Sequence, residues 1–177
     1  TIVTSSLAGR DNAMAVAWHM PVSGDPPLYC VGIAADKLSH KMIMQSGEFG
    51  VNFMPFAASS LVAATGGPSG KVVDKFETYK LNKDLPVKTV VPVLSAAYVS
   101  FECRLEEYHT LGDHTLFIGR VLAVHQAENA FNQDGTLNME AIKPVLYLGR
   151  DNYLEIDGFN IRHLDRHQAA EDVKKGN

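Results

Sequence analysis

Three short stretches carry side chains that could do chemistry. The first is Ser39-His40-Lys41. Met42 and Ile43 can face inward and Gly47 supplies a stop, so a short helix is expected to open here with Ser39 as its N-cap. First-turn amides of a helix lack internal partners and carry partial positive charge, which favours an anion. A hydroxyl, an imidazole and an ammonium at that place would make a small phosphate site. The second stretch is Gly112-Asp113-His114, at what reads as a hairpin end. There the imidazole could lean over a cleft, or bond Asp113 or backbone as an ordinary turn histidine. The third is Asp74-Lys75-Phe76, on its own a solvated charge pair beside a core aromatic.

Other chemistries find no support in the residues. The seven histidines are spread out, and only His163 and His167 would share a helical face, with no Cys or carboxylate pair to complete a metal site. No metal is expected. There is no Walker loop and no Gly-x-Ser-x-Gly elbow. Gly66-Gly67-Pro68-Ser69-Gly70 has the wrong spacing and context for a dinucleotide fingerprint and reads as a loop. A net charge of −4 gives no footprint for nucleic acid or an anionic membrane. No apolar run approaches the roughly 20 residues that span a bilayer. Cys30 and Cys103 sit in apolar, strand-like runs and are expected as buried thiols, which fits a reducing cytoplasm. No signal peptide is visible, and a chain starting at Thr1 fits a trimmed N-terminus.

The elements that must position these groups are mostly strands. With 177 residues, 46% hydrophobic and 20% charged, the chain fits one domain with a sizeable core. That domain is expected over residues 1–160, with a polar tail over 161–177. Residues 1–4 open a strand and residues 5–11 read as a turn. Residues 13–18 form a tight run of small and apolar residues, suited to a core strand or to a flat ligand lying close to the backbone. Residues 21–27, with three prolines and a glycine, read as a connection. Residues 28–34 form a continuous buried strand and 49–54 another, interrupted by Asn52, which must hydrogen-bond if buried. Residues 56–64 have helical composition, capped by Ser59 or Ser60, and 71–76 suit a short helical turn. Residues 79–91 read as an exposed connection. From Val93 the pattern turns to β: Val99, Phe101, Cys103 and Leu105 alternate with Ser100, Glu102, Arg104 and Glu106, as in a half-solvated strand. Residues 116–124 pair with it as an antiparallel hairpin. Residues 129–138 are loop-like, 144–148 form a last apolar segment, and 149–154 a polar loop.

Five pieces in this order resemble the flavin reductase-like, FMN-binding split-barrel family, with flavoredoxin-type members most similar. They are residues 12–18 (Asn-Ala-Met-Ala-Val-Ala-Trp), Pro26-Pro27-Leu28, Phe49-Gly50-Val51-Asn52, Asp74-Lys75-Phe76, and Gly112-Asp113-His114 running into Leu116-Phe117-Ile118-Gly119. Together they cover most of the chain up to about Val124. The resemblance implies a mainly β split barrel with a few short helices, forming a homodimer with FMN near the interface. It implies FMN against Asn12, Ala13, Met14 and Ala15, with backbone atoms reading the ring edge. Many relatives carry Thr or Ser where Ala15 stands. The phosphate would lie at Ser39, His40 and Lys41, helped by Thr4 or Ser5. Gly50, Val51 and Asn52 would line the ring, Lys75 would lie near the cofactor, and Trp18 would stack or pack. The implied activity is hydride transfer from NADH or NADPH to FMN and on to a free flavin, a small molecule or a protein, with His114 orienting the nicotinamide or supplying a proton. Two other readings stay open: a flavoredoxin-like electron carrier without its own nicotinamide site, and a non-catalytic small-ligand barrel.

Overall fold

A computed structural model describes residues 1–156, 158, 161, 162, 165, 166, 169 and 173. In chain order the strands are β1 Ile2–Leu7, β2 Arg10–Ala15, β3 His19–Gly24, β4 Pro27–Ala34, β5 Glu48–Phe53, β6 Lys83–Asp84, β7 Val93–Leu94, β8 Val99–Leu111, β9 His114–Gln126, β10 Val145–Gly149 and β11 Asn152–Glu155. The helices are α1 Leu38–Ser46, between β4 and β5, then α2 Ser59–Gly66 and α3 Lys75–Thr78. Seven strands form one antiparallel sheet in the order β2-β1-β5-β8-β9-β4-β3. Its two end strands, β2 and β3, are neighbours in sequence yet do not pair. The fold is therefore mainly β with a few short helices, and the barrel is left open along β2.

Alternation along the strands divides the apolar residues between two cores. Val3, Val31, Ile33, Phe49, Val51 and Phe117 fill the barrel, and Ile43 of α1 plugs it. Ile2 points the other way, into a cluster with Ala13, Met54, Val62, Leu81 and Leu94 beneath α2 and α3. The barrel is tight where β9 passes Phe49. A Cβ on Gly119 would come within 2.5 Å of that ring, so only glycine fits.

The hairpin of β8 and β9, the buried strand β4 and the strand β5 form where expected. Gly47 ends α1 at φ 70°, its amide donating to the Ile43 carbonyl. Several expectations are corrected. The connection expected over residues 21–27 shrinks to Asp25-Pro26, because 21–24 belong to the edge strand β3 and Pro27 opens β4. Pro21 is tolerated there because an edge strand can spare an N–H, and the pairing slips beside it, between Pro21 and Ser23. The turn expected over residues 5–11 shrinks to Ala8-Gly9, at φ 51° and 78°. Residues 149–154 are not a loop, because Asn152–Glu155 pairs with Val145–Gly149. Ser39 is not a cap, since Lys37 takes the N-cap place without a side-chain bond. Ser59 and Ser60 do not cap α2 either, which follows Ala58. The turn expected over 71–76 comes later, as α3, where Asp74 caps by accepting the Glu77 amide.

The β8 face read as solvated is exposed at Arg104 and Glu106 but buried at its start. Ser100 and Glu102 are 2% and 0% exposed because residues 85–92 cross over them. That connection is not simply exposed, since it buries Leu81 and Val91. His163, His167 and most of the tail lie outside the described residues.

Candidate functional site

The open edge of β2 faces a groove. Residues Thr1 and Val16, which extend the β1–β2 pairing, exchange main-chain bonds in both directions. Antiparallel pairs alternate between bonded and non-bonded. Met14 and Asn12 therefore bond inward to β1, and the main-chain groups of Ala13 and Ala15 point outward. A cleft of about 200 Å³ runs from Asn12, Met14 and Ala15 to Lys37, Gly70 and Lys75. A second, of about 270 Å³, shares Ala15, Gly66 and Gly67 with it. The two clefts thus form one groove with a waist at those three residues.

Close contacts hold the groove's walls. The Asn12 side chain donates to the Ser39 hydroxyl at 2.8 Å, tying β2 to α1. A Cβ on Gly70 would collide with the Asn12 side-chain oxygen, so the loop over residues 67–70 needs glycine at that point. Arg10 donates to the Gly70 carbonyl, and Lys71 donates to the Asp36 carbonyl at 2.7 Å.

The groove is positively charged at one end. Lys75 is 4% exposed, and its ammonium donates to the Thr65 carbonyl. Among the described residues it has no carboxylate partner. Burial, and secondly the charge of Lys37, hold its pKa below the ordinary lysine value. Lys37 pairs with Asp36 at 3.2 Å on the rim. The amides of Leu38, Ser39 and His40 belong to the uncapped first turn of α1, and Leu38 lines the groove. A buried cation with one neutral acceptor, beside a second cation and a helix N-terminus, is an arrangement that an anion would complete.

The expected site residues are divided by this geometry. Asn12, Met14, Ala15 and Lys75 line the groove, and Ala13 presents backbone towards its side. Ser39, His40 and Lys41 do not form a joint site. Successive helix residues are about 100° apart, so the three point in different directions. Ser39 is 0% exposed beneath Asn12. His40 bonds the Thr115 hydroxyl at 2.9 Å and packs edge-on against Phe117. Lys41 faces solvent.

Thr4, Ser5, Gly50, Val51 and Asn52 belong to the core. Thr4 donates to the Pro92 carbonyl and Ser5 contacts the Met42 sulfur at 3.6 Å. Val51 lies in the barrel core. Gly50 faces Thr4, whose hydroxyl leaves no room for a Cβ. Asn52 donates to the Ile2 carbonyl and Thr4 hydroxyl, and accepts from the Leu94 amide and Ser100 hydroxyl. Each buried side-chain polar atom among these residues has a partner within the protein.

Trp18 and His114 meet outside the groove. Trp18 is 62% exposed, and its ring centre lies 4.3 Å from that of His114. The imidazole Nδ1 bonds Asp113 at 2.8 Å, as an ordinary turn histidine would. His114 pairs with Ala34, only two residues before Asp36 on the groove's rim. Sequence reasoning missed Lys37, Leu38 and the loop over 67–70, although the Gly-Gly-Pro-Ser-Gly run was visible there. Among the described residues no three His, Cys, Asp or Glu gather to hold a metal, and no helix is long and apolar enough to cross a membrane.

The fold has counterparts in known proteins. The chain belongs to the flavin reductase-like domain family, whose model matches residues 1–156. The solved structure of an FMN-binding protein from Thermus thermophilus with bound 1-cyclohex-2-enone is 31% identical, with a TM-score of 0.82 over 92% of this chain and 88% of that one. Flavoredoxins share the fold, which is the split barrel of this family. The NADH-dependent flavin reductase StyB of Pseudomonas fluorescens is 28% identical over 144 residues, 78% of this chain and 71% of that protein. An uncharacterized protein of Aeropyrum pernix is 29% identical over 150 residues, which are 84% of this chain and 56% of that protein.

Proposed function

We propose that this chain binds FMN in the groove along β2 and acts as an NAD(P)H-dependent flavin reductase, passing electrons to a free flavin or another small-molecule or protein acceptor. The observation that carries the proposal is Lys75, a buried ammonium without a carboxylate partner among the described residues, at the end of a groove whose other wall is an open strand edge. FMN has the matching parts: one phosphate and one flat ring with hydrogen-bonding edges. Lys75, Lys37 and the first-turn amides of α1 would hold the phosphate. The outward main-chain groups of Ala13 and Ala15 would read the ring edge. Together the two clefts fall within the roughly 300–1,000 Å³ usual for cofactor sites.

Held there by Lys75, Lys37 and the α1 amides, FMN would supply hydride-accepting and electron-releasing chemistry between reduced nicotinamide and the acceptor. The protein's part is to bind, orient and exclude water. Trp18 and His114 stand near the rim, where His114 would orient the nicotinamide. Trp18, Met20 and Val22 leave apolar surface along β3, which fits a homodimer with the cofactor near its interface. Both cysteines are free and buried, as suits a reducing, cytoplasmic setting. The test is a visible spectrum of protein reconstituted with FMN, before and after anaerobic NADH or NADPH. Protein-bound flavin that bleaches within seconds supports the reading. Bound flavin that bleaches only with an added reductase assigns an electron carrier, and absence of binding removes the proposal.

A further inference from the structure

The cleft that holds Lys75 is shut at one corner by the connection between α2 and α3. Gly70 is buried there, while Gly67, Pro68 and Ser69 before it are exposed. A Cβ on Gly70 would collide with the Asn12 side chain and come within 3.0 Å of Leu38 Cδ2. The loop is thus pressed into the angle between β2 and the start of α1, with no room for a methyl group. In the other direction the cleft continues through the waist at Ala15, Gly66 and Gly67.

Two cations pin this loop from opposite walls. Arg10, at the start of β2, donates to the Gly70 carbonyl. Lys71 reaches across to the connection between β4 and α1 and donates to the Asp36 carbonyl at 2.7 Å. Within the loop, the Ser69 carbonyl accepts the amides of Val72 and Val73 at 2.9 and 3.1 Å. Arg10 and Lys71 are exposed residues that end on neutral carbonyls, and neither has a carboxylate partner among the described residues. Holding a long side chain in one place costs rotamer freedom. The loop has little core of its own, since Val72 is 84% exposed. Its position therefore depends on the two ties.

We propose that Arg10 and Lys71 are specificity-determining residues that fix the length of nucleotide the cleft admits. By pinning residues 67–70 against both walls they make an end wall behind the anion position at Lys75. In a flavin mononucleotide the phosphate ends the molecule and fits before that wall. In a flavin dinucleotide a second phosphate and an adenosine continue from it and must pass the wall. The proposal rests on the flavin reading above and assigns that site to the mononucleotide.

Parallel titrations with FMN and FAD, followed by flavin fluorescence, test the selectivity. Wild type should bind FMN at least tenfold more tightly than FAD. The double variant Arg10→Ala/Lys71→Ala should bring the two within threefold and bind FAD more tightly than wild type does. That gain is diagnostic: losing positive charge alone weakens both anions, and only an opened wall improves FAD. Lys71→Arg, which keeps the donor and the charge, should keep the wild-type ratio. Hydrogen exchange without flavin checks the wall itself. The Val72 and Val73 amides should exchange at least tenfold faster in the double variant, with its melting temperature near wild type. Should the double variant not fold, the single alanine variants decide by the same signs. Unchanged exchange, a ratio unmoved in folded variants, or equal loss of both nucleotides overturns the proposal. FMN binding to wild type without preference over FAD defeats this proposal and leaves the flavin reading standing, whereas binding of neither nucleotide removes both.

Discussion

Two buried polar clusters in this protein look alike in a burial profile and differ in chemistry. Around Asn52 and Glu102 every valence is filled. Asn52 makes four hydrogen bonds across β1, β5, β7 and β8. Glu102 accepts the amides of Val87, Lys88 and Thr89, the Thr89 hydroxyl, and His125 at 2.6 Å. Around Lys75 the accounting among the described residues stays open: one carbonyl, no carboxylate, and a second lysine nearby. A satisfied buried group holds strands together. An unsatisfied charge beside a cleft costs stability and is retained where something binds. The first cluster is architecture and the second marks the proposed site.

The largest expected effect comes from breaking the closed cluster. Glu102→Ala leaves three amides of the 85–92 strap without partners and should cost about 3 kcal/mol of stability in chemical denaturation. A pH series sharpens this. Burial pushes the Glu102 carboxyl up, but the Val87 and Lys88 amides, His125 and Thr89 outweigh it and hold its pKa at about 2. A depressed carboxyl stabilises the fold fully above the unfolded value of roughly 4.3 and loses that contribution as pH falls through its folded value. The stability advantage of wild type over Glu102→Gln should therefore shrink between about pH 4 and pH 2. A constant difference over that interval would contradict the assignment.

Breaking the open cluster should do the reverse. Lys75→Met removes a buried charge and should leave the melting temperature unchanged or higher. FMN affinity should fall about 30-fold, the equivalent of a lost charge-assisted contact of about 2 kcal/mol. Loss of stability with intact FMN affinity would place Lys75 with the architecture.

Smaller effects separate the rim from the surface. His114→Ala should keep FMN content and slow anaerobic reduction by NADH about tenfold if the imidazole orients the nicotinamide, because small displacements cost rate steeply. An unchanged stopped-flow rate at matched flavin occupancy leaves His114 as Asp113's turn partner. Lys41→Ala should change FMN affinity less than twofold, since that ammonium points to solvent on α1.

The sequence was legible where one local rule was enough. The continuous run of β4, the hairpin signal of β8 and β9, and the Gly47 stop each follow from neighbours in the chain. It was misleading where the deciding partner is distant. Pro21 suggests a connection unless one knows that its strand lies at the sheet's edge. Glu102 falls on the polar phase of an alternating strand, and only the strap from residues 85–92 makes that position interior. Ser39 has the chemistry of a cap, but Asn12, 27 residues earlier, claims its hydroxyl. The same limit applied to the site. Asn12, Met14, Ala15 and Lys75 came from family resemblance, and Asn52 came with them, because resemblance marks residues without separating those that hold the barrel from those that face the groove. Tyr147 and Tyr153 gave no local signal, since their place beside the groove depends on the β10–β11 hairpin attaching to residues 54–56.

The central claim is that the open charge of Lys75 receives the phosphate of a flavin nucleotide, and a paired titration with FMN and riboflavin tests it most directly. The two ligands share the ring and differ by the phosphate. Wild type should bind FMN at least 30-fold more tightly than riboflavin at low salt, and Lys75→Met should reduce that ratio to a few-fold by weakening FMN alone. Equal affinities in wild type, or a ratio that survives Lys75→Met in a folded protein, would contradict the account.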